Sequence, residues 1–283
     1  MSFAGSSSRH RTSAAAGRGP LPPGGLLVYA DGVQPSRRLV ALKVSPWSER
    51  ARWALDHHGL AYEVLHHQPF IGERKLRALV GPGKQRATVP VLIEGDERIT
   101  ESWEIALHAD RRGAGVKLIP ADREAEIRRW NDLADEGMGA GRVLVVAAML
   151  ASPAALEETL PPNVPRWLRP LLRPVARSVT HWFGRKYGVR TEALAAGRAK
   201  FTAMLVKLRE GLAGAPYLLG SFSYADIAMA TTLQGISPVA NEHIRLGPAT
   251  RQVWTSEALA AEFADLVAWR DGLYQRHRAR PVR

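Results

Sequence analysis

Ser45-Pro46-Trp47-Ser48-Glu49-Arg50 sets two hydroxyls at the head of a segment, 48–58, that reads as a helix. Unpaired N–H groups and the dipole at a helix N-terminus favour an anion. A hydroxyl at Ser45 can donate a hydrogen bond to a thiolate held there and lower the thiol's pKa. Ser48 competes for that role, and Ser45 is preferred. The same residues also read as an ordinary Ser-Pro turn with a helix cap. Thr88-Val89-Pro90-Val91 offers a second element. A cis Val89-Pro90 bond would present the N–H and C=O of Val89 to a ligand. A trans proline would only open an edge strand. In Glu101-Ser102 a carboxylate and a hydroxyl open another helix and could bind the amine and carboxylate of an α-amino acid; plain N-capping by Ser102 is the alternative. Phe222-Ser223-Tyr224-Ala225-Asp226-Ile227 has capping-box spacing and reads as structural.

Composition limits what these groups can do. The chain has 283 residues, 46% hydrophobic and 23% charged, and no cysteine. A disulfide framework, a thiolate zinc site, an iron–sulfur cluster and a cysteine nucleophile are excluded. Any thiol must arrive with a ligand. His57-His58 and His66-His67 are adjacent pairs that face different ways and lack a carboxylate cluster, so no metal is expected. The net charge is +12, and residues 161–200 carry nine basic residues against one acid. So local an excess argues against a nucleic-acid-binding surface. The longest apolar run, 143–151, is too short to span a bilayer. Residues 1–25 lack the apolar stretch of a secretory signal and read as a disordered tail. The expected compartment is the cytoplasm.

The elements that must position these groups come in two textures. Residues 38–43 read as a buried strand, 48–58 as a helix capped by Ser48 and ended by Gly59, 62–66 as a strand and 75–80 as a helix. A hairpin over 91–94 and 98–100 precedes a helix at 102–111. The first two strands should be parallel and the last two antiparallel. This β-α-β-α-β-β-α order is thioredoxin-like. Residues 113–124 read as a linker. Beyond them come helices at 123–138, with an apolar continuation at 141–150, and at 191–212, striped by Leu194, Phe201, Leu205, Leu208 and Leu212. A last stripe is Leu259, Phe263, Leu266, Arg270 and Leu273. The expected class is α/β plus all-α: a thioredoxin-like domain at 26–112 followed by an all-helical domain at 125–280.

In 161–190, Leu168, Leu171, Leu172, Val175, Val179, Trp182 and Phe183 share one helical face, and Arg169, Arg173 and Arg177 another. Two readings stand. The helix packs its apolar face on the core, with solvated arginines facing the acidic residues 122–136. Or 166–187 makes a weak contact with an anionic membrane.

Taken in order and spacing, the turn at Ser45, Val89-Pro90, Glu101-Ser102 and the Ser223–Asp226 motif resemble the glutathione S-transferase superfamily over residues 38–277. The resemblance is to serine-type, bacterial-type members. It implies a domain that binds glutathione as co-substrate, a helical domain shaping a second pocket, and a homodimer. Ser45 aligns with the catalytic serine or cysteine. Val89 next to Pro90 would pair with the cysteinyl part of glutathione, and Glu101 and Ser102 would hold its γ-glutamyl end. Lys84 or Gln85 would reach the glycine carboxylate, and Trp47 would line the pocket of a small hydrophobic electrophile. The implied activity is glutathione-dependent transfer to that electrophile. The alternatives are a non-catalytic binding protein with this fold, or another glutathione-dependent reaction such as isomerisation or dehalogenation.

Overall fold

The computed structural model describes residues 37–83, 86–161, 163–190 and 193–278. The readings placed on 1–25, Lys84 and Gln85 lie outside the described residues. Strands β1 (Arg37–Ala41), β2 (Glu63–His66), β3 (Val91–Glu94) and β4 (Glu97–Thr100) form a sheet in the order β2-β1-β3-β4. β1 and β2 run parallel, and β3 is antiparallel to both β1 and β4. The pleat sends alternate side chains to opposite faces. Leu39, Ala41 and Leu92 join α1 (Pro46–His57) and α3 (Ser102–Arg112) in the main core. Val40, Val91 and Ile93 join Leu76 of α2 (Glu73–Val80) in a smaller core on the other face.

The helical layer begins with α4 (Glu124–Ala151), one 28-residue helix that takes in both the expected helix and its apolar continuation. It continues through α5 (Pro153–Glu158), α6 (Arg173–Lys186), α7 (Leu194–Leu212), α8 (Tyr224–Thr232), α9 (Pro248–Trp254), α10 (Glu257–Glu262) and α11 (Ala264–His277). The expected final stripe is buried, but it bends at Phe263 between α10 and α11. The α7 stripe is buried from Phe201 onward, whereas Leu194 at its first residue is exposed. One continuous core runs from Leu39 and Ile105 to Phe201, Leu208 and Ile227, so both layers belong to one compact unit. The crossing between them is held by Asp110, which accepts from the Leu118 and Ile119 N–H groups at 3.0 and 2.7 Å and lies 2.5 Å from His58.

Ser223 N–H donates to Asp226 at 2.9 Å, as the capping-box spacing predicts. Asp226 also accepts from Leu218 N–H. Burial pushes its carboxyl up to about 6, against these hydrogen bonds. Helix α6 and the segment before it meet the sequence expectation only in part: Val179, Trp182 and Phe183 are half-buried, but the arginines have other partners than expected. Arg169 and Arg177 donate to the carbonyls of Glu157 and Leu150, and Arg173 pairs with the Glu157 carboxylate. These partners end α4 and α5, where unpaired carbonyls favour cations; residues 122–136 are not involved. Trp167, Leu171 and Val175 are left exposed.

Candidate active site

Pro46 does not merely break the chain after β1. It is the first residue of α1, a position where its missing N–H and fixed φ cost nothing. The cap is therefore Ser45, not Ser48. The Ser45 Oγ accepts from Ser48 N–H at 3.4 Å. Accepting with a lone pair leaves the hydroxyl proton free to be donated. Ser48 is fully buried, and its Oγ accepts from Leu42 N–H at 3.2 Å, which takes it out of contention.

Ser45 borders a cavity of about 330 Å³ together with Trp47, Val89 and Glu101. The Val89-Pro90 bond is cis. Pro90 is buried behind Val89, and Ser102 is buried behind Glu101; neither lines the cavity. Glu101 has φ +72°, a left-handed conformation unfavourable for a side chain with a Cβ, and it is exposed at the cavity edge. Such outliers concentrate where a group must be presented to a ligand.

The facing wall comes from the helical layer: Met138, Gly141, Arg142, Val145 and Val146 of α4, Phe183 of α6, Tyr187 just after it, and Phe201 of α7. Phe201 wedges between Gly141 and Gly235, whose added Cβ atoms would lie 3.1 and 2.7 Å from its ring. Among the described residues there is no group of three metal-ligating side chains.

Arg50 welds the walls together. It is fully buried. Its Nε donates to Thr231 Oγ1 at 3.0 Å, and Nη1 to Asn131 and Asp135 at 3.2 and 2.6 Å. Nη2 donates to Ala228 O and Thr232 Oγ1 at 3.1 and 3.3 Å. Asp135 also accepts from Trp47 Nε1 at 2.9 Å, fixing that ring. A second cluster pins the other side of α1. The buried Glu49 binds Arg52 at 2.8 Å and Arg278 at 2.8 Å, and Arg278 reaches Asp56 at 2.6 Å. Sequence reading assigns neither Arg50 nor Arg52 a role in these clusters. The available signal was the polar Thr231-Thr232 pair in an otherwise apolar helix and the Asn131/Asp135 spacing on α4.

Two family models match this architecture, that of the glutathione S-transferase N-terminal domain over residues 39–117 and that of the C-terminal domain over 191–272. Among curated proteins, "Glutathione S-transferase U13" of Arabidopsis thaliana is 30% identical over 137 residues, which cover 43% of this chain and 60% of that one. "Probable glutathione S-transferase BZ2" of Zea mays is 34% identical over 109 residues, covering 35% and 45%. The chain thus spans about half the length of the curated relatives it matches. Among solved structures, a glutathione S-transferase of Methylobacillus flagellatus with glutathione bound is 18% identical and covers 87% of this chain and all of its own, with a TM-score of 0.55. The beta-etherase LigF of a Sphingobium strain is 19% identical, covers 85% and 96%, and scores 0.56. These structural likenesses establish the shared fold. With the sheet and α1–α3 under one half of the same pair of models and α7–α10 with most of α11 under the other, the chain belongs to the glutathione S-transferase superfamily.

Proposed function

We propose that this protein is a glutathione-dependent transferase that activates the glutathione thiolate at Ser45 for attack on an apolar electrophile. The observation that carries this reading is Ser45 itself. Its hydroxyl is held as the α1 cap, with its proton free, at the edge of a cavity whose opposite wall is mostly apolar. Glutathione would lie with its cysteinyl backbone against Val89 and its γ-glutamyl end at Glu101 and the α3 N-terminus, rather than on the covered Ser102 hydroxyl. Lys84 or Gln85 would take the glycine carboxylate. The thiol proton leaves to solvent, and the Ser45 O–H donates to the remaining thiolate. The sulfur then gives its electron pair to the electrophilic carbon, whose leaving group departs with the pair of the broken bond. Thiolate stabilisation and positioning supply the rate. Titrating the thiolate absorbance of bound glutathione tests this. Ser45→Ala should raise the bound thiol's pKa and lower kcat/KM about 10–100-fold, as loss of a hydrogen bond to a charged group implies. Unchanged values for both would remove Ser45 as the activating group.

The homodimer belongs to the same proposal, and light scattering on the purified chain checks it. The weak contact with an anionic membrane also draws support, from the exposed Trp167, Leu171 and Val175 and from a segment, 163–190, without an acid. Vesicles rich in anionic lipid should float part of the protein, and Leu171→Asp with Val175→Asp should return it to the bottom fraction. Protein that stays in solution with anionic vesicles overturns the contact.

A further inference from the structure

The helical wall of the cavity carries a cation with no counter-charge of its own. The Arg142 guanidinium lies over two rings, its Cζ 4.6 Å from the centre of Trp47 and 4.3 Å from that of Tyr187. It lines the cavity and is only partly buried, and among the described residues no hydrogen bond or ion pair occupies it. Asp135 is the nearby acid, but its carboxylate already serves Arg50 and Trp47, and Arg86 adds a second positive charge to the surroundings. Burial draws the Arg142 pKa down, yet an arginine stays charged in proteins. Ring contacts hold the guanidinium in place without using its N–H donors in a hydrogen bond, so those donors are left for a ligand. Gln234 and Trp254 line the same cavity, and the Gln234 carboxamide and Trp254 indole N–H are buried without a partner. A cavity built only for hydrocarbon would not keep three such groups.

We propose that Arg142 is the subsite for a carboxylate or similar planar anion on the electrophilic co-substrate, making the preferred class an aromatic or alkyl electrophile with an acid group. This refines the apolar electrophile above and rests on the transferase reading. The acid would meet the guanidinium edge while the rest of the molecule lies on the apolar wall towards Ser45.

The test compares 4-chloro-3-nitrobenzoate with its methyl ester as electrophiles for the whole protein with glutathione. In Arg142→Gln the ratio of kcat/KM for acid to ester should fall about 10-fold or more, mainly through KM of the acid. Arg142→Lys, which keeps the charge and loses the planar set of donors, should lie between. An unchanged ratio overturns the proposal. Glutathione and its glycine ethyl ester form a second pair. If Arg142→Gln weakens glutathione and not the ester, the carboxylate served is that of glutathione, and the proposal also fails. Calorimetry with 4-nitrobenzoate and methyl 4-nitrobenzoate needs no glutathione. Wild-type preference for the acid, lost in Arg142→Gln, sustains the subsite even if neither electrophile turns over and the transferase reading falls. No preference there overturns it.

Discussion

Arg50→Met is expected to lower folding stability by about 3–5 kcal/mol, read as a fall in the urea midpoint by far-UV circular dichroism. The cost does not come mainly from the lost ion pair, because Asp135 is 42% exposed and can be hydrated. It comes from the buried Asn131, Thr231 and Thr232 oxygens, which lose the Arg50 donor, while the Ala228 carbonyl keeps the Thr231 and Thr232 hydroxyls. Arg50→Lys keeps the charge but cannot fan out to five acceptors, so it should recover only part of the loss. Activity should fall alongside, since Asp135 also holds Trp47. A loss below about 1 kcal/mol would mean that the layers are held together by the apolar core alone.

Glu49→Gln should destabilise by a similar amount, about 3–5 kcal/mol, for the opposite reason: it strips the anion from between two buried guanidiniums. Burial by itself would raise the Glu49 pKa, but the charges of Arg278 and Arg52 and their hydrogen bonds prevail and hold it below the usual carboxylate value. A depressed folded pKa gives stability that is present above the unfolded value of about 4.3 and lost as pH falls below it. Wild-type stability should therefore drop in acid below about pH 4.3, and the drop should be shallower in Glu49→Gln. Asp226 acts in the reverse sense. Its stabilising contribution is complete below its ordinary value of 3.8 and is lost as pH rises through about 6. The two groups thus occupy different pH windows, and urea midpoints from pH 3 to 7 separate them.

The sheet and the main helices were legible because period-2 and period-3.6 patterns report burial directly. The α1 start was misplaced by two residues and its cap by three, because Pro46 reads equally well as a breaker or as a first helical residue, and only the geometry at Ser45 decides. Leu194 keeps the spacing of the α7 stripe yet sits at the helix end, beyond the reach of its neighbours. Around α6, periodicity identified two faces but not how far the apolar one is covered: Val179, Trp182 and Phe183 are half-buried, while Trp167, Leu171 and Val175 are exposed. The arginines find acceptors at Leu150 and Glu157, in other elements, and such partners are invisible in the α6 sequence. Arg50 and Arg142 escaped for a related reason: a cation on a helix carries no signal of burial until the acceptors or rings around it, dozens of residues away, are known. Ser45, Trp47, Val89 and Glu101 were nameable in advance because each sits at a break between elements, where local sequence rules are strongest.

Helix α1 carries the Ser45 cap at one end, Arg50 in its middle and Trp53 beyond, whose indole N–H donates to His277 O at 3.1 Å. One rigid rod therefore belongs to both walls of the cavity. The walls cannot part like a clamshell without exposing Arg50 and its acceptors to water. Elsewhere Phe70 rests edge-on against Trp182 and Lys186 grips Glu73 at 2.6 Å, contacts outside the cavity lining that can open and close while α1 stays still.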